Sequence, residues 1–290
     1  MSGTIFSFVV DDEPRFAYEG RHLARSLVQH CGGDPSTVHV HFTPEVDARC
    51  RSDFRREGYS VHEIARFGDG RYCNKIGQLD NLRDIDFDRV VLVDTDTIAI
   101  ADLRPFLDDS AVLGKIVDAS NPPLAVLREI AEASGLTTLP ATCKTDSGDG
   151  DTFAGNCNGG FYAIPRRFCD PLSREWRRWT LWLLENIGPL RRSVCSHHAD
   201  QVGFWLAVHH GSLPFAAVQS NLNYYVHFTG AHEYFDARHD IALLHYHHSS
   251  VNGDGLLEPQ AKLSPLERAA VERANAQIAE TLTKRAIARR

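Results

Sequence analysis

The chain has 290 residues, 43% of them hydrophobic and 24% charged, with a net charge of −7. That length supports one large α/β domain or two small ones around a real core, and the composition is that of a globular protein rather than a disordered or fibrous one. The acidic balance speaks against a nucleic-acid partner held by bulk electrostatics, yet it accommodates a phosphate ligand if a metal supplies positive charge.

Seven cysteines, at 31, 50, 73, 143, 157, 169 and 195, include no C-x-x-C pair. They indicate neither a zinc ribbon nor a disulfide framework, and free thiols fit a reducing cytoplasm. The start, Met1-Ser2-Gly3-Thr4-Ile5, lacks the basic and apolar segments of a signal peptide. No apolar run approaches the roughly 20 residues of a membrane helix. The expected location is cytoplasmic.

In chain order, Ile5 to Val10 predicts a strand ending at Asp11-Asp12. A helical pattern with Phe16, Leu23, Leu27 and Val28 on one face follows and stops at Gly32-Gly33. Val38 to Phe42 alternates as a second strand. A polar helix is expected from about Glu45 to Arg56, a third strand from Tyr59 to Ile64, and a helix from Asn74 to Leu82. Arg89 to Val93 is rich in β-branched residues and predicts a buried strand. It runs into Asp94-Thr95-Asp96, two carboxylates on the same side of an extended chain. Such a pair repels itself unless a cation sits between the two groups. Oxygen donors at a strand end suit Mg²⁺ or Mn²⁺, ions that also hold substrate phosphates. The competing reading is a surface turn with Asp as the turn former.

Strands alternating with helices imply a mostly parallel sheet, in which ligands bind at the carboxyl ends of the strands. Asp11-Asp12 and Asp94-x-Asp96 should therefore open onto one edge. The chain has no G-x-G-x-x-G after the first strand and no P-loop motif, which argues against a dinucleotide fold or a P-loop enzyme.

Further along, Ala111 to Val117 predicts a strand, and Pro122-Pro123 opens a helix to Ala133 capped at Gly135. The polar, Gly-rich stretch Thr142 to Asp151 is expected as a mobile loop, a lid or connector, and lacks the spacing and closing Glu of a calcium loop. Asn158-Gly159-Gly160 before an apolar strand points to close backbone approach. Phe168 to Ile187 is a long helix whose stripe of Trp176, Trp179, Trp182 and Leu183 reads as core. His197-His198-Ala199-Asp200-Gln201 opens another helix. Ile241 to His248 predicts a buried strand with His245 and His247 on one side, and two histidines on one face raise the odds of metal binding. Ser264-Pro265-Leu266-Glu267 is a capping box starting a helix with Val271, Ala274, Ile278 and Leu282 on one face, a docking helix or dimer contact. Its end carries Lys284, Arg285, Arg289 and Arg290, which suit a helix C-terminus.

The ordered set Val10-Asp11-Asp12, Lys75, Asp94-Thr95-Asp96, Asn158-Gly159-Gly160, Asp200-Gln201 and His245-Tyr246 resembles the nucleotide-sugar glycosyltransferases of the GT-A fold, and most of all glycosyltransferase family 8, over residues 4 to 248. The resemblance implies a Rossmann-like, mostly parallel sheet flanked by helices, with a C-terminal helical extension. Residues 1–255 would form the catalytic domain, with 1–100 the nucleotide half and 101–255 the sugar and acceptor half, and 256–290 the C-terminal helix. It implies a divalent metal, Mn²⁺ or Mg²⁺, on Asp94, Asp96 and His245, bridging the two phosphates of a nucleoside-diphosphate sugar. The donor would meet Val10, Asp11, Asp12, Lys75, Asp94, Thr95, Asn158, Gly159 and His247. Asp200 would grip sugar hydroxyls and Gln201 would lie by the anomeric carbon, the pair carrying catalysis. Transfer would retain configuration, the departing phosphate taking the acceptor's proton, and UDP is the habitual nucleotide. Acceptor choice is expected in 142–152, 219–240 and the C-terminal helix.

One departure stands out. The family follows its metal histidine with a Gly and then Lys-Pro-Trp, whose Lys meets the diphosphate. This chain reads His247-His248-Ser249-Ser250-Val251, leaving His247, His248 or the serines as substitutes. Two other readings of the D-x-D are a haloacid-dehalogenase-like phosphatase with Asp94 as nucleophile, and a sugar-nucleotide-binding protein without catalysis. A zinc hydrolase has no supporting H-E-x-x-H.

Overall fold

The structure is a computed structural model describing residues 3–227 and 230–288, with side chains to residue 282. Arg289 and Arg290 lie outside the described residues, as do the side chains of Lys284 and Arg285. The elements in order are β1 (Thr4–Val10), α1 (Pro14–His30), β2 (Val38–Phe42), α2 (Ala48–Arg56), β3 (Ser60–Glu63), α3 (Gln78–Asn81), β4 (Arg89–Val93), β5 (Thr97–Ala99), β6 (Val112–Ile116), α4 (Leu124–Ser134), β7 (Thr142–Lys144), β8 (Asp151–Phe153), β9 (Cys157–Pro165), α5 (Arg166–Glu185), α6 (Gly188–Arg192), α7 (Ala199–His210), β10 (Phe215–Ala217), β11 (Tyr224–Tyr225), β12 (Leu243–His245) and α8 (Pro265–Ala288).

Seven strands form the main sheet in the order β10-β6-β9-β4-β1-β2-β3, and β9 alone runs against its neighbours. This is the mostly parallel α/β sheet expected. Alternation along the strands divides the core. Phe6, Phe8, Val10, Val91 and Val93 face Leu23 and Leu27 of α1. Ile5, Val90, Leu92, Tyr162 and Ile164 face Trp176 of α5 and Phe204 of α7. The tryptophan stripe is core as expected, with Trp176, Trp179 and Leu183 buried.

Several boundaries differ from expectation. The helix expected from Glu45 starts at Ala48, because the Asp47 carboxylate caps it by accepting from the Arg49 amide at 2.7 Å. Asn74 to Leu82 is a 3-10 segment, Tyr72–Gly77, followed by the single turn α3. The strand over Ile241 to His248 keeps only Leu243–His245, since His247 has φ +53° and cannot continue a ladder. The largest correction concerns Thr142 to Asp151. It is not a free loop: β7 and β8 pair antiparallel, and Asp146 is fully buried against Lys115 of β6 at 2.9 Å. A lysine inside an apolar strand requires a carboxylate, and this segment supplies it. Asp146 also accepts from Ser220 Oγ at 2.6 Å and contacts His232 Nδ1 at 2.6 Å, tying the segment to 220–234.

The capping box forms as expected, with the Ser264 amide donating to Glu267 Oε2 at 2.6 Å. The apolar stripe of α8, Ala270, Val271, Ala274 and Ile278, is buried against Ile98, Ile100 and Leu244 of this same chain. All seven cysteines are free, and no helix among the described residues is long and apolar enough to cross a membrane.

On β2 and β3, His39, His41 and His62 form a stack, with His39 Nδ1 2.9 Å from His62 Nε2. Burial pushes His39 down to about 4 and lowers His41 well below its ordinary value, with the neighbouring imidazoles acting in the same direction. Such groups take up protons more readily in the unfolded chain. Their stabilisation is therefore present above about pH 6.5 and is lost as pH falls toward 4. His39 is expected to remove about 2 kcal/mol between pH 7 and 5, and His41 to act in the same direction. Urea melts at the two pH values test this against His41→Phe, which should flatten the slope.

Candidate active site

β1 and β4 are parallel neighbours, so Asp11 and Asp94 emerge at the same sheet edge. They line one cleft of about 890 Å³ together with Asp12, Arg66, Lys75, Thr95, Asp96, His247 and His248. The D-x-D is the crossing between two sheets. Asp94-Thr95-Asp96 leaves β4 and enters β5, which pairs antiparallel with β12 in a small sheet, β11-β12-β5. In that register His245 lies opposite Thr97, and the Tyr246 amide donates to the Asp96 carbonyl at 3.1 Å. A pairing of two short strands is what brings a carboxylate and a histidine 149 positions later in the chain together.

Asp96 Oδ1 is 3.4 Å from His245 Nε2 and Asp96 Oδ2 is 3.7 Å from His247 Nδ1. These three side chains offer donor atoms all within 4.8 Å of one another. The tautomer of His245 follows from a chain of hydrogen bonds. The Gly160 amide donates to Asn158 Oδ1 at 2.8 Å, which fixes the Asn158 amide. Asn223 Nδ2 donates to the same oxygen at 3.2 Å, which turns Asn223 Oδ1 toward His245. His245 Nδ1 then donates to it at 2.9 Å, which turns Nε2 toward Asp96. A partner on the far nitrogen is the hallmark of a metal-binding histidine, so this donor set fits a divalent cation. A Cβ at Gly160 would lie 2.7 Å from His245 Nδ1 and 2.8 Å from Asn158 Oδ1. Gly160→Ala is therefore expected to cost at least about tenfold in metal affinity and to lower the melting temperature, measured by metal titration and thermal melts.

Asp94 is placed differently. Its Oδ1 accepts from the Lys75 ammonium at 2.6 Å, and Lys75 also donates to the Gly159 carbonyl at 3.0 Å and lies 3.6 Å from Asp200 Oδ2. Burial works to lower the Lys75 pKa, but Asp94 and Asp200 together raise it, so it stays an ammonium. Asp200 is buried at the first turn of α7. Burial pushes it up to about 7 against the pull of Lys75, with Asp94 adding to the rise. Asp200 Oδ1 and Gln201 Oε1 are buried without a hydrogen-bond partner in the chain. A Cβ at Gly159 would meet Lys75 Nζ at 2.6 Å, Asp200 Oδ2 at 3.4 Å and Gln201 Nε2 at 3.6 Å. Both glycines are thus required for space.

At the other end, Asp11 accepts from Thr43 Oγ1 at 2.8 Å and from Asn74 Nδ2 at 3.2 Å, and pairs with Arg66. Burial acts to raise it, but the hydrogen bonds from Thr43 and from the Asp12 amide and the Arg66 charge leave it lowered. Asp12 is half-exposed at the cleft mouth. Val10 lies beneath the cleft, fully buried, with its carbonyl taken by the Thr43 amide. Asn158 has its oxygen committed to the His245 chain, which leaves its Nδ2 as the end free for other contacts.

Two residues escaped the sequence reading. Glu19 of α1 is buried under Thr95 and accepts from Thr95 Oγ1 at 3.3 Å, with His248 Nδ1 2.7 Å from its other oxygen. Burial, reinforced by Asp96, pushes it up to about 7. Its signal was a carboxylate on the apolar face of α1, between Phe16 and Leu23. Asn223, which orients His245, carried none.

No protein-family model and no curated protein sequence matches the chain. Among solved structures it is similar to the galactosyltransferase LgtC in complex with donor and acceptor sugar analogs, at 15% identity over 95% of both chains and a TM-score of 0.55. An active-site mutant of LgtC gives 14% identity, 93% and 95% coverage and a TM-score of 0.53. The bifunctional glycosyltransferase WbbM gives 14% identity and a TM-score of 0.52, and this chain, matched over 96% of its length, spans half of that one. The fold of this chain is the GT-A fold of glycosyltransferases.

Proposed function

We propose that the protein transfers a sugar from a nucleoside-diphosphate sugar to an acceptor, in the manner of family 8. The observation that supports this reading is that the Asp96–His245–His247 cluster stands beside the Lys75–Asp94 pair, with Asp200 and Gln201 gathered with Lys75 around Gly159. The base and ribose lie toward Asp11, Asp12 and Thr95. Asp96 and His245 would hold a divalent cation, with His247 as the third donor within reach. That ion supplies positive charge to the departing diphosphate. Lys75 holds Asp94 and Asp200 in place beside the diphosphate and is the ammonium that the chain lacks after His245. Asp200 accepts from sugar hydroxyls and the Asn158 amide donates to them. Gln201 presents its amide to the anomeric carbon. The bond from that carbon to the phosphate oxygen breaks as the acceptor oxygen bonds to it, and the acceptor proton passes to the departing phosphate, with retention. The acceptor face lies along the 142–152 and 219–240 segments.

The test is release of nucleoside diphosphate from a panel of UDP- and GDP-sugars with Mn²⁺. One conjugate should be turned over, and Gln201→Ala should slow it about 10²-fold or more without weakening nucleotide binding. Tight donor binding with no turnover on any acceptor would favour a binding protein instead, and phosphate release with a phospho-Asp94 adduct would favour the phosphatase.

A further inference from the structure

We infer that His247 is a metal ligand in place of Asp94, so that the centre is built from two imidazoles and one carboxylate and takes Mn²⁺, Co²⁺ or Zn²⁺ in preference to Mg²⁺. The inference rests on the reading of this cleft as a metal-assisted donor site. Four observations support it.

First, the donor spacings of 3.4 and 3.7 Å from Asp96 to the two histidines are long for hydrogen bonds. Two donors that each sit about 2.1 Å from one ion are themselves about 3.0–3.4 Å apart, so the His245 spacing matches that of ligands, and the His247 spacing exceeds it by a few tenths of an ångström. The two oxygens of Asp96 face one histidine each.

Second, Asp94 Oδ1 is engaged. Lys75 Nζ at 2.6 Å and its further bond to the Gly159 carbonyl hold that carboxylate to the sugar side of the cleft. Asp94 is not part of the cluster.

Third, His247 is held in a backbone conformation that a side chain rarely adopts, φ +53° and ψ 146°. The surroundings over-determine it. The Tyr246 amide is bonded to the Asp96 carbonyl, the His247 carbonyl accepts from the Ser250 amide at 3.0 Å, and the next residue is pinned by Glu19. A glycine would be at ease there, so the imidazole occupies a position at which the backbone disfavours any side chain.

Fourth, the ring itself is clamped. It stacks on His245 with centroids 4.5 Å apart and meets the edge of His227 at 4.4 Å, and His227 is in turn bonded to Asp118 at 3.0 Å. Imidazole donors suit the later first-row ions, whereas Mg²⁺ demands oxygen.

The experiment titrates the metal-free protein, without nucleotide, with Co²⁺, Zn²⁺ and Mg²⁺. The wild type is expected to bind Co²⁺ and Zn²⁺. His247→Gly should lose about 10- to 100-fold in Co²⁺ affinity, change Mg²⁺ affinity by less than about threefold, and melt no lower than the wild type. Asp94→Asn should leave Co²⁺ affinity within about threefold. X-ray absorption at the cobalt edge of the wild type, which depends on no variant folding, should count two imidazoles. One imidazole, unchanged Co²⁺ affinity in His247→Gly, or no Co²⁺ binding by the wild type would each overturn the inference. Metal-dependent nucleotide binding alongside any of these results would leave the transferase reading standing. A two-imidazole centre in a protein that binds no nucleotide would support this inference and sink the transferase.

Discussion

Lys75→Met is expected to abolish transfer, by about 10³-fold or more in kcat/KM, while costing only about 2–3 kcal/mol of stability. The two numbers have different origins. In the native site the Lys75 ammonium binds Asp94 at 2.6 Å and faces Asp200 at 3.6 Å. Removing one partner of a buried charge pair commonly costs about 3–5 kcal/mol, because the other charge is left stranded. Here Asp200 already stands at about 7. Without Lys75 it takes a proton rather than remaining a buried anion, and this limits the damage. Asp94 is partly exposed and stays solvated. Activity has no such escape, since a protonated Asp200 presents a donor where an acceptor is needed and the cleft loses a positive charge. Urea melts and steady-state rates on the one variant separate the two effects. A variant that lost stability and kept its rate would remove Lys75 from the mechanism.

Lys115→Met should be the most destabilising single change, at about 3–5 kcal/mol. Lys115 and Asp146 are both fully buried and 2.9 Å apart. Unlike Asp200, Asp146 is lowered to about 2, its burial outweighed by hydrogen bonds from His232 and Ser220 and by the Lys115 charge. Its remaining partners keep it ionised, so loss of the lysine leaves an anion inside the protein. Because Asp146 joins the 142–152 segment to Ser220 and His232, the same variant should loosen these two segments while sparing nucleotide binding. Hydrogen exchange over these two segments, with nucleotide affinity measured alongside, checks both halves of that expectation.

The contrast between these two lysines shows what the sequence carries. Lys75 was legible because it belongs to an ordered set of motifs, each a strand end or helix start that the parallel sheet brings to one edge. Asp11, Asp94, Asp96, Asp200, Gln201 and His245 were singled out in the same way; the structure lines one cleft with Asp11, Lys75, Asp94 and Asp96, and sets His245 beside Asp96 and Asp200 beside Lys75. What could not be read is any contact made by irregular chain. Asn223 orients His245 from a position between two short elements, with no periodicity to flag it. The segment around Asp146 looked mobile because it is polar and rich in glycine, and only its buried partner on β6 shows otherwise. Lys115 and Glu19 did carry a signal: each is a charge at a position that alternation or helical spacing assigns to the core. A charge of that kind announces a partner without naming it.

The division of labour between Asp94 and His247 was likewise beyond the sequence. Both lie within the motifs, and residue type alone favours the two aspartates as a pair. It takes the Lys75 contact and the φ of His247 to separate a carboxylate held by an ammonium from an imidazole set beside Asp96 and His245.

The measurement that bears most directly on the whole account is calorimetric binding of UDP and GDP, each with and without Mn²⁺, to the wild type and to Asp96→Ala. The account predicts that one nucleotide binds only when the metal is present, and that Asp96→Ala weakens it by about 100-fold or more. Binding of neither nucleotide, or binding indifferent to both the metal and Asp96, would contradict it.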